Sequence, residues 1–134
     1  MKNHFRFVVI LALFFIGATS CKRAGIDGDA TLVITPKHHG TVIMNTTAYP
    51  DSVYVKFNSK DLSADPTHDY DALFVGEAGE DHVRCEGLHT GTYFIFVTGK
   101  DPALNTRVTG GMSVKIEYKE RKEEIPLEVS VTEE

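Results

Sequence analysis

Residues 88–97, LHTGTYFIFV, set the narrowest limit on how this chain can fold. A turn-forming LHTG leads into aromatic and β-branched residues that are apolar on both faces of an extended strand. Such a strand belongs in the middle of a sheet, with cover on two sides. Just upstream, Val83 and Cys85 alternate with His82, Arg84 and Glu86, so residues 83–97 read as a hairpin turning near 88–91.

The rest of the chain supplies strands to surround that one. Residues 30–35, ATLVIT, form the first, ended by Pro36, which cannot donate to a ladder. His38 and His39 fall in a KHHG turn. Over 52–58, Val53, Val55 and Phe57 face one way and Tyr54, Lys56 and Asn58 the other. A short apolar piece spans 72–75. Met112, Val114, Ile116 and Tyr118 alternate with polar residues, and so do Ile125, Leu127, Val129 and Val131. Pro126 marks an edge strand or a strand start, and the charged run over 119–124 is a solvated turn. About seven strands and no segment of helical period predict an all-β chain: a single antiparallel β-sandwich of Ig-like layout over residues 30–134. A chain of 134 residues has room for one such domain once its N-terminus is removed. A domain this size buries ~65% of its unfolded surface and needs no disulfide.

The N-terminus reads as a leader. Lys2 and Arg6 make a positive head, residues 7–16 are unbroken apolar, and Gly17-Ala18-Thr19-Ser20 is a small-residue tail before Cys21. A transmembrane helix needs ~20 apolar residues, so this run has the dimensions of a signal-peptide core. Ala18-Thr19-Ser20-Cys21 resembles a bacterial lipobox, with Ala18 where Leu is usual. An ordinary signal-peptidase cut after Ser20 stays open as the alternative. The resemblance implies removal of residues 1–20, acylation of Cys21 with palmitate-type chains, and a polar linker over 21–29. It places the protein in the cell envelope, on the periplasmic side or at the cell surface. The net charge of −5 becomes more negative once Lys2 and Arg6 leave, and no cluster of Lys and Arg interleaves with aromatics, so nucleic acid is no expected partner.

The succession LVITPKHHG, VYVKF, an acidic loop with Asp-Pro, EGLHTGTYFIFVTGKDP, VTGG and PLEVSVTE is similar to small Bacteroidetes lipoproteins of uncharacterised role. Their domain resembles carboxypeptidase-regulatory or Cna-B-type modules, which implies a transthyretin-like sandwich and an accessory, non-catalytic role. Leu88, Gly91 and Tyr93 carry the turn-and-strand piece shared by such modules.

Several residues have chemistry of their own. His38 and His39 are candidate ligands for a divalent metal, with Asp69 and Asp71 as further donors, provided a turn lets adjacent side chains reach one ion. The loop over 59–71 offers Asp61, Asp65, His68 and Tyr70 to a partner, and Asp61, Asp65, Asp69 and Asp71 could wrap calcium, although their spacing matches no calcium-loop pattern. Asp51-Ser52-Val53 resembles a short O-glycosylation motif of Bacteroidetes exported proteins, with Ser52 as acceptor. Cys85 shares a face with Val83 and reads as a buried, inert thiol. No nucleophile elbow or phosphate loop is present, so the chain is expected to be no enzyme and to need no cofactor.

Together these readings describe a membrane-anchored, non-catalytic module that binds an envelope protein or glycan. A metal-binding lipoprotein using His38 and His39 is the alternative. Mass analysis of membrane fractions is expected to find an N-terminal peptide that begins at Cys21 and is heavier by its lipids. Cys21→Ala should move the protein out of that fraction, and an unmodified Cys21 thiol in native protein would remove the anchor.

Overall fold

The computed structural model describes residues 23–134, so the leader over 1–20 and the acylation reading at Cys21 lie outside the described residues. The chain is all-β. Eight strands follow in order: β1 (Ile26–His38), β2 (Thr41–Val42), β3 (Ser52–Phe57), β4 (Ala72–Val75), β5 (Val83–Leu88), β6 (Gly91–Asp101), β7 (Thr106–Ile116) and β8 (Glu124–Glu133), with one turn of 3-10 helix at Tyr118–Glu120. They form one curled sheet in the order β2-β1-β8-β7-β6-β3-β4, and β5 lies on β1.

The sheet is mixed, which corrects the purely antiparallel expectation. β1 and β8 run parallel, in register from Thr31↔Glu124 to His38↔Val131. Both strands bury alternate residues, Leu32, Ile34 and His38 on β1 and Val129 and Val131 on β8. Alternation defines which face is apolar but not the direction of the neighbour. The first and last described strands thereby meet.

Pro36 does not end the first strand, which runs on to His38. The reason lies in which neighbour each residue of β1 addresses. Thr31 donates to Glu123 O on the β8 side, while the carbonyl of Pro36 accepts from Ile43 on the other side (each 3.0 Å). Since a residue's N–H and C=O point the same way, the missing N–H of Pro36 falls between two short partners. β5 pairs up to Ile34↔Val83, and β2 begins at Lys37↔Val42. Pro36 therefore interrupts no ladder. Pro126 by the same alternation points its ring nitrogen away from β1, towards an edge with no partner in the register, as the sequence implies.

The expected hairpin over 83–97 does not form. β5 pairs with β1, and β6 pairs with β3 and β7. Val83, Cys85 and Leu88 of β5 and Tyr93, Ile95 and Val97 of β6 belong to the same core, all of them fully buried. The two strands thus share a core without pairing edge to edge. The long hairpin is β6–β7, paired from Gly91↔Ile116 to Asp101↔Thr106. At its open side β7 meets β8 only at Val108↔Glu133 and Thr109↔Thr132. There Gly110 lets β8 pass: a Cβ on it would lie 2.2 Å from Ser130 O.

Strand directions give the fold two distinct ends. β1, β6 and β8 all finish at one end, which carries His38, Asp101 and Glu133. At the other lie Ala24, the β5–β6 connection and the loop that follows β3. Residues 23–25, read as linker, are built into this second end, and β1 already starts at Ile26. Ala24 packs so closely on Gly91 that a Cβ there would stand 2.8 Å from the Ala24 methyl. The buried Tyr93 hydroxyl accepts from Gly25 N at 3.0 Å and donates to His89 O at 2.7 Å. Removing that hydroxyl leaves both backbone groups without their partner. Tyr93→Phe is expected to lower the unfolding free energy measured in urea by about 1–3 kcal/mol and to speed hydrogen exchange at Gly25. Unchanged exchange at Gly25 would mean that the clamp is not formed.

Candidate functional site

The β1–β2 connection is a two-residue loop, His39-Gly40, with both φ positive (49° and 79°). This is the backbone of a hairpin whose twist suits the flanking strands. It also resolves the difficulty of adjacent histidines on an extended chain. His38 points inwards at the end of β1 and is 3% exposed. His39 turns back beside it, with ring centroids 4.1 Å apart. His38 Nδ1 lies 2.7 Å from Asp101 Oδ2, and that contact holds the Asp101 carboxyl below its usual range. His38 Nε2 is buried without a hydrogen-bond partner. Donor atoms of His38, His39 and Glu133 lie within 4.8 Å of one another.

Asp69 and Asp71 do not join this group, which corrects the expected ligand set. Both belong to the connection between β3 and β4, at the opposite end from His38, and both are occupied. Lys56 Nζ donates to Asp69 Oδ1 at 2.6 Å and Ser63 Oγ to Asp69 Oδ2 at 2.7 Å. These bonds, with that from Lys56 the larger, pull the Asp69 carboxyl below its usual range. Asp71 accepts from Phe57 N at 2.7 Å, and Asp65 Oδ1 lies 2.9 Å from His68 Nδ1. Asp61 takes part through its backbone, which bonds to Ser59 Oγ. Three of the four carboxylates read as a calcium cradle thus serve to fold their own loop.

That loop returns over the outer face of the sheet. Pro66 and Tyr70 line a small hollow there with Tyr54, Phe94 and Phe96. Tyr70 meets Tyr54 edge-on at 5.1 Å, and Tyr54 stands 6.4 Å from Phe96. The second apolar face of β6 is therefore roofed by a loop and a neighbouring tyrosine, and only in part: Tyr70 is 37% exposed, and Leu73, opposite Tyr54 in the register, is 42% exposed. β4 pairs with β3 alone among the described residues. Gly76 N donates to Asp51 O, so by alternation Leu73 and Val75 direct their own N–H and C=O groups away from β3.

The other sequence candidates are placed as follows. Ser52 lies half-buried on β3, between Val75 and Thr98. Cys85 is fully buried, and desolvation pushes its thiol up to about 12, which leaves no thiolate to react. Tyr49 is exposed at the His38 end, with Lys100 Nζ 3.9 Å above its ring. Among known proteins, no family model, curated protein or solved structure matches this chain.

Sequence reasoning missed Glu133 and Asp101, which approach His38 only through strand pairing. It missed Asp51 as well. Asn45 Oδ1 accepts from Asp51 N at 2.7 Å, while Asn45 Nδ2 donates to Glu80 O and His82 O. The Asp51 side chain is fully buried, and neither carboxylate oxygen has a partner. Desolvation raises its pKa from 3.8 to about 6. The folded state thus holds its proton more tightly than the unfolded state. Stability from this group is full below the unfolded value and is lost as pH rises through the folded one, by up to about 3 kcal/mol. Asp51→Asn is expected to leave the melting temperature near that of the native chain at about pH 4 and to raise it at about pH 8. No gain at the higher pH would mean that the carboxylate is solvated.

Proposed function

We propose that this chain is a lipid-tethered, non-catalytic module of the cell envelope that captures an extended segment of a partner protein on the outer edge of β4. The observation that carries this reading is the unprotected edge itself. Leu73 and Val75 present unpaired main-chain groups, and their side chains are 42% and 51% exposed. Edge strands are ordinarily guarded by lysine, proline, a bulge or a covering segment. The sequence ALFV of β4 contains no lysine or proline, and its register with β3 holds no bulge. An added strand would find hydrogen bonds along the edge and an aromatic row (Tyr54, Tyr70 and Phe96) beside it for alternate side chains.

The leader supports the tether. With Ala24 packed on Gly91, acyl chains on Cys21 would hold the Ala24 end close to the bilayer and direct the His38 end away from it. In this reading the curled sheet corresponds to a transthyretin-like sandwich, split between β8 and β7, as the resemblance to Bacteroidetes accessory modules implies. The inert Cys85 thiol agrees with a binding role.

Peptides selected from a random library against the purified chain test the capture site. The best binders are expected to slow hydrogen exchange at the backbone of Leu73 and Val75. Val75→Pro, which removes an outward N–H without touching the β3 ladder, should weaken them by about 10-fold or more, a loss of about 1.4 kcal/mol. Leu73→Asp should do the same by charge. Protection elsewhere, or binding indifferent to both substitutions in folded protein, would refute the site.

A further inference from the structure

We propose that His38, His39 and Glu133 form a binding site for a transition-metal ion, zinc(II) or copper(II), with Asp101 as the residue that orients His38. The site stands at the end of the fold opposite Ala24 and is independent of the β4 edge.

His38 carries a hydrogen-bonding atom without a partner. A buried imidazole ordinarily engages both nitrogens, since a buried polar atom left unpaired costs about 1–3 kcal/mol. His38 engages one. Its Nδ1 is held by Asp101 Oδ2 at 2.7 Å, and its Nε2 is buried with no partner. A carboxylate on one ring nitrogen favours the tautomer that carries its proton there. The other nitrogen then keeps its lone pair, which is what a metal ligand requires.

The surroundings supply the remaining donors. His39 is brought alongside by the positive φ of 49° at the turn, a conformation that L-residues adopt reluctantly. Glu133 arrives because β8 runs parallel to β1 and places Val131 opposite His38. Inner-facing positions alternate along β8, so Glu133 is the next residue after Val131 on the same face. One donor atom from each of the three residues falls within 4.8 Å of the others. Donors on a tetrahedral ion lie about 3.3 Å apart, given bonds of about 2.0–2.1 Å. The buried His38 is the fixed point, and small movements of the exposed His39 and Glu133 side chains close the remaining distance.

Two imidazoles and one carboxylate suit zinc or copper. Calcium and magnesium call for a shell of oxygens. Three protein ligands leave a coordination position for water or for a group brought by a partner. The group Glu80, Asp81 and His82 also gathers donors, but it is a surface cluster in which His82 Nδ1 contacts Asp81 at 2.7 Å. It serves as the control.

The test is calorimetric titration of the full chain, purified without an affinity tag, with zinc and separately with calcium. One zinc per chain is expected to bind with a Kd below about 10 µM, and calcium is not. His39→Ala and Glu133→Gln, both at exposed positions, should each weaken zinc by about 10-fold or more, and Asp101→Asn by about 10–100-fold, while His82→Ala leaves binding unchanged. With copper(II), the nitrogen hyperfine pattern in electron paramagnetic resonance should report two imidazoles in the native chain and one in His39→Ala. Zinc affinity weaker than about 10 µM would overturn the proposal. So would affinity that survives His39→Ala together with Glu133→Gln, or that is lost in His82→Ala.

Discussion

A parallel pair formed by the first and last described strands joins segments remote in the sequence, and most of the architecture follows from it. Pairing residues separated by most of the sequence closes a long loop, an entropic cost that grows only slowly with length. Burial along both strands offsets it. Leu32 and Ile34 on β1 and Val129 and Val131 on β8 are at most 3% exposed, and each side chain of this size contributes about 1.5–3 kcal/mol on burial. With β8 attached to β1 along most of its length and to β7 only at its tip, the sheet has to curl. Its two halves then share a single core.

The same pairing gives the molecule polarity. Strands that run side by side finish side by side, so His38, Asp101 and Glu133, remote in sequence, come to one end. The opposite end is closed by the Ala24–Gly91 contact and by the Tyr93 hydroxyl, which receives Gly25 N and reaches His89 O. Between them, the outer face of β3, β4 and β6 carries an aromatic row under a loop pinned by Lys56 and Asp69. A tether, a capture edge and an ion site would thus occupy three separate regions, and none obstructs another.

Loop 59–71 illustrates why acidic composition is a poor guide to function. Its aspartates invite a cation, yet Asp69 takes Lys56 and Ser63, Asp71 takes Phe57 N and Asp65 takes His68. Short carboxylate side chains satisfy nearby backbone and side-chain donors before they serve anything external. The informative polar groups were the opposite kind, buried and without partners: His38 Nε2 and the Asp51 carboxylate. Neither is visible in a sequence, because burial depends on what the rest of the chain packs against.

Alternation of apolar and polar residues determined, by itself, that the described part of this chain is all-β. It also identified the inward faces of the strands around Val53, Val114 and Val129, and the inertness of Cys85. These are local properties: successive side chains on a strand point to opposite faces whatever the neighbour. Only the tertiary structure decided which strands are neighbours and in which direction. β5 therefore joined β1 instead of hairpinning with β6, β8 ran parallel to β1, and Pro36 fell in the gap between β5 and β2. Partner and direction are chosen by the summed burial of the whole core, and that choice is what brought Glu133 and Asp101 to the two histidines.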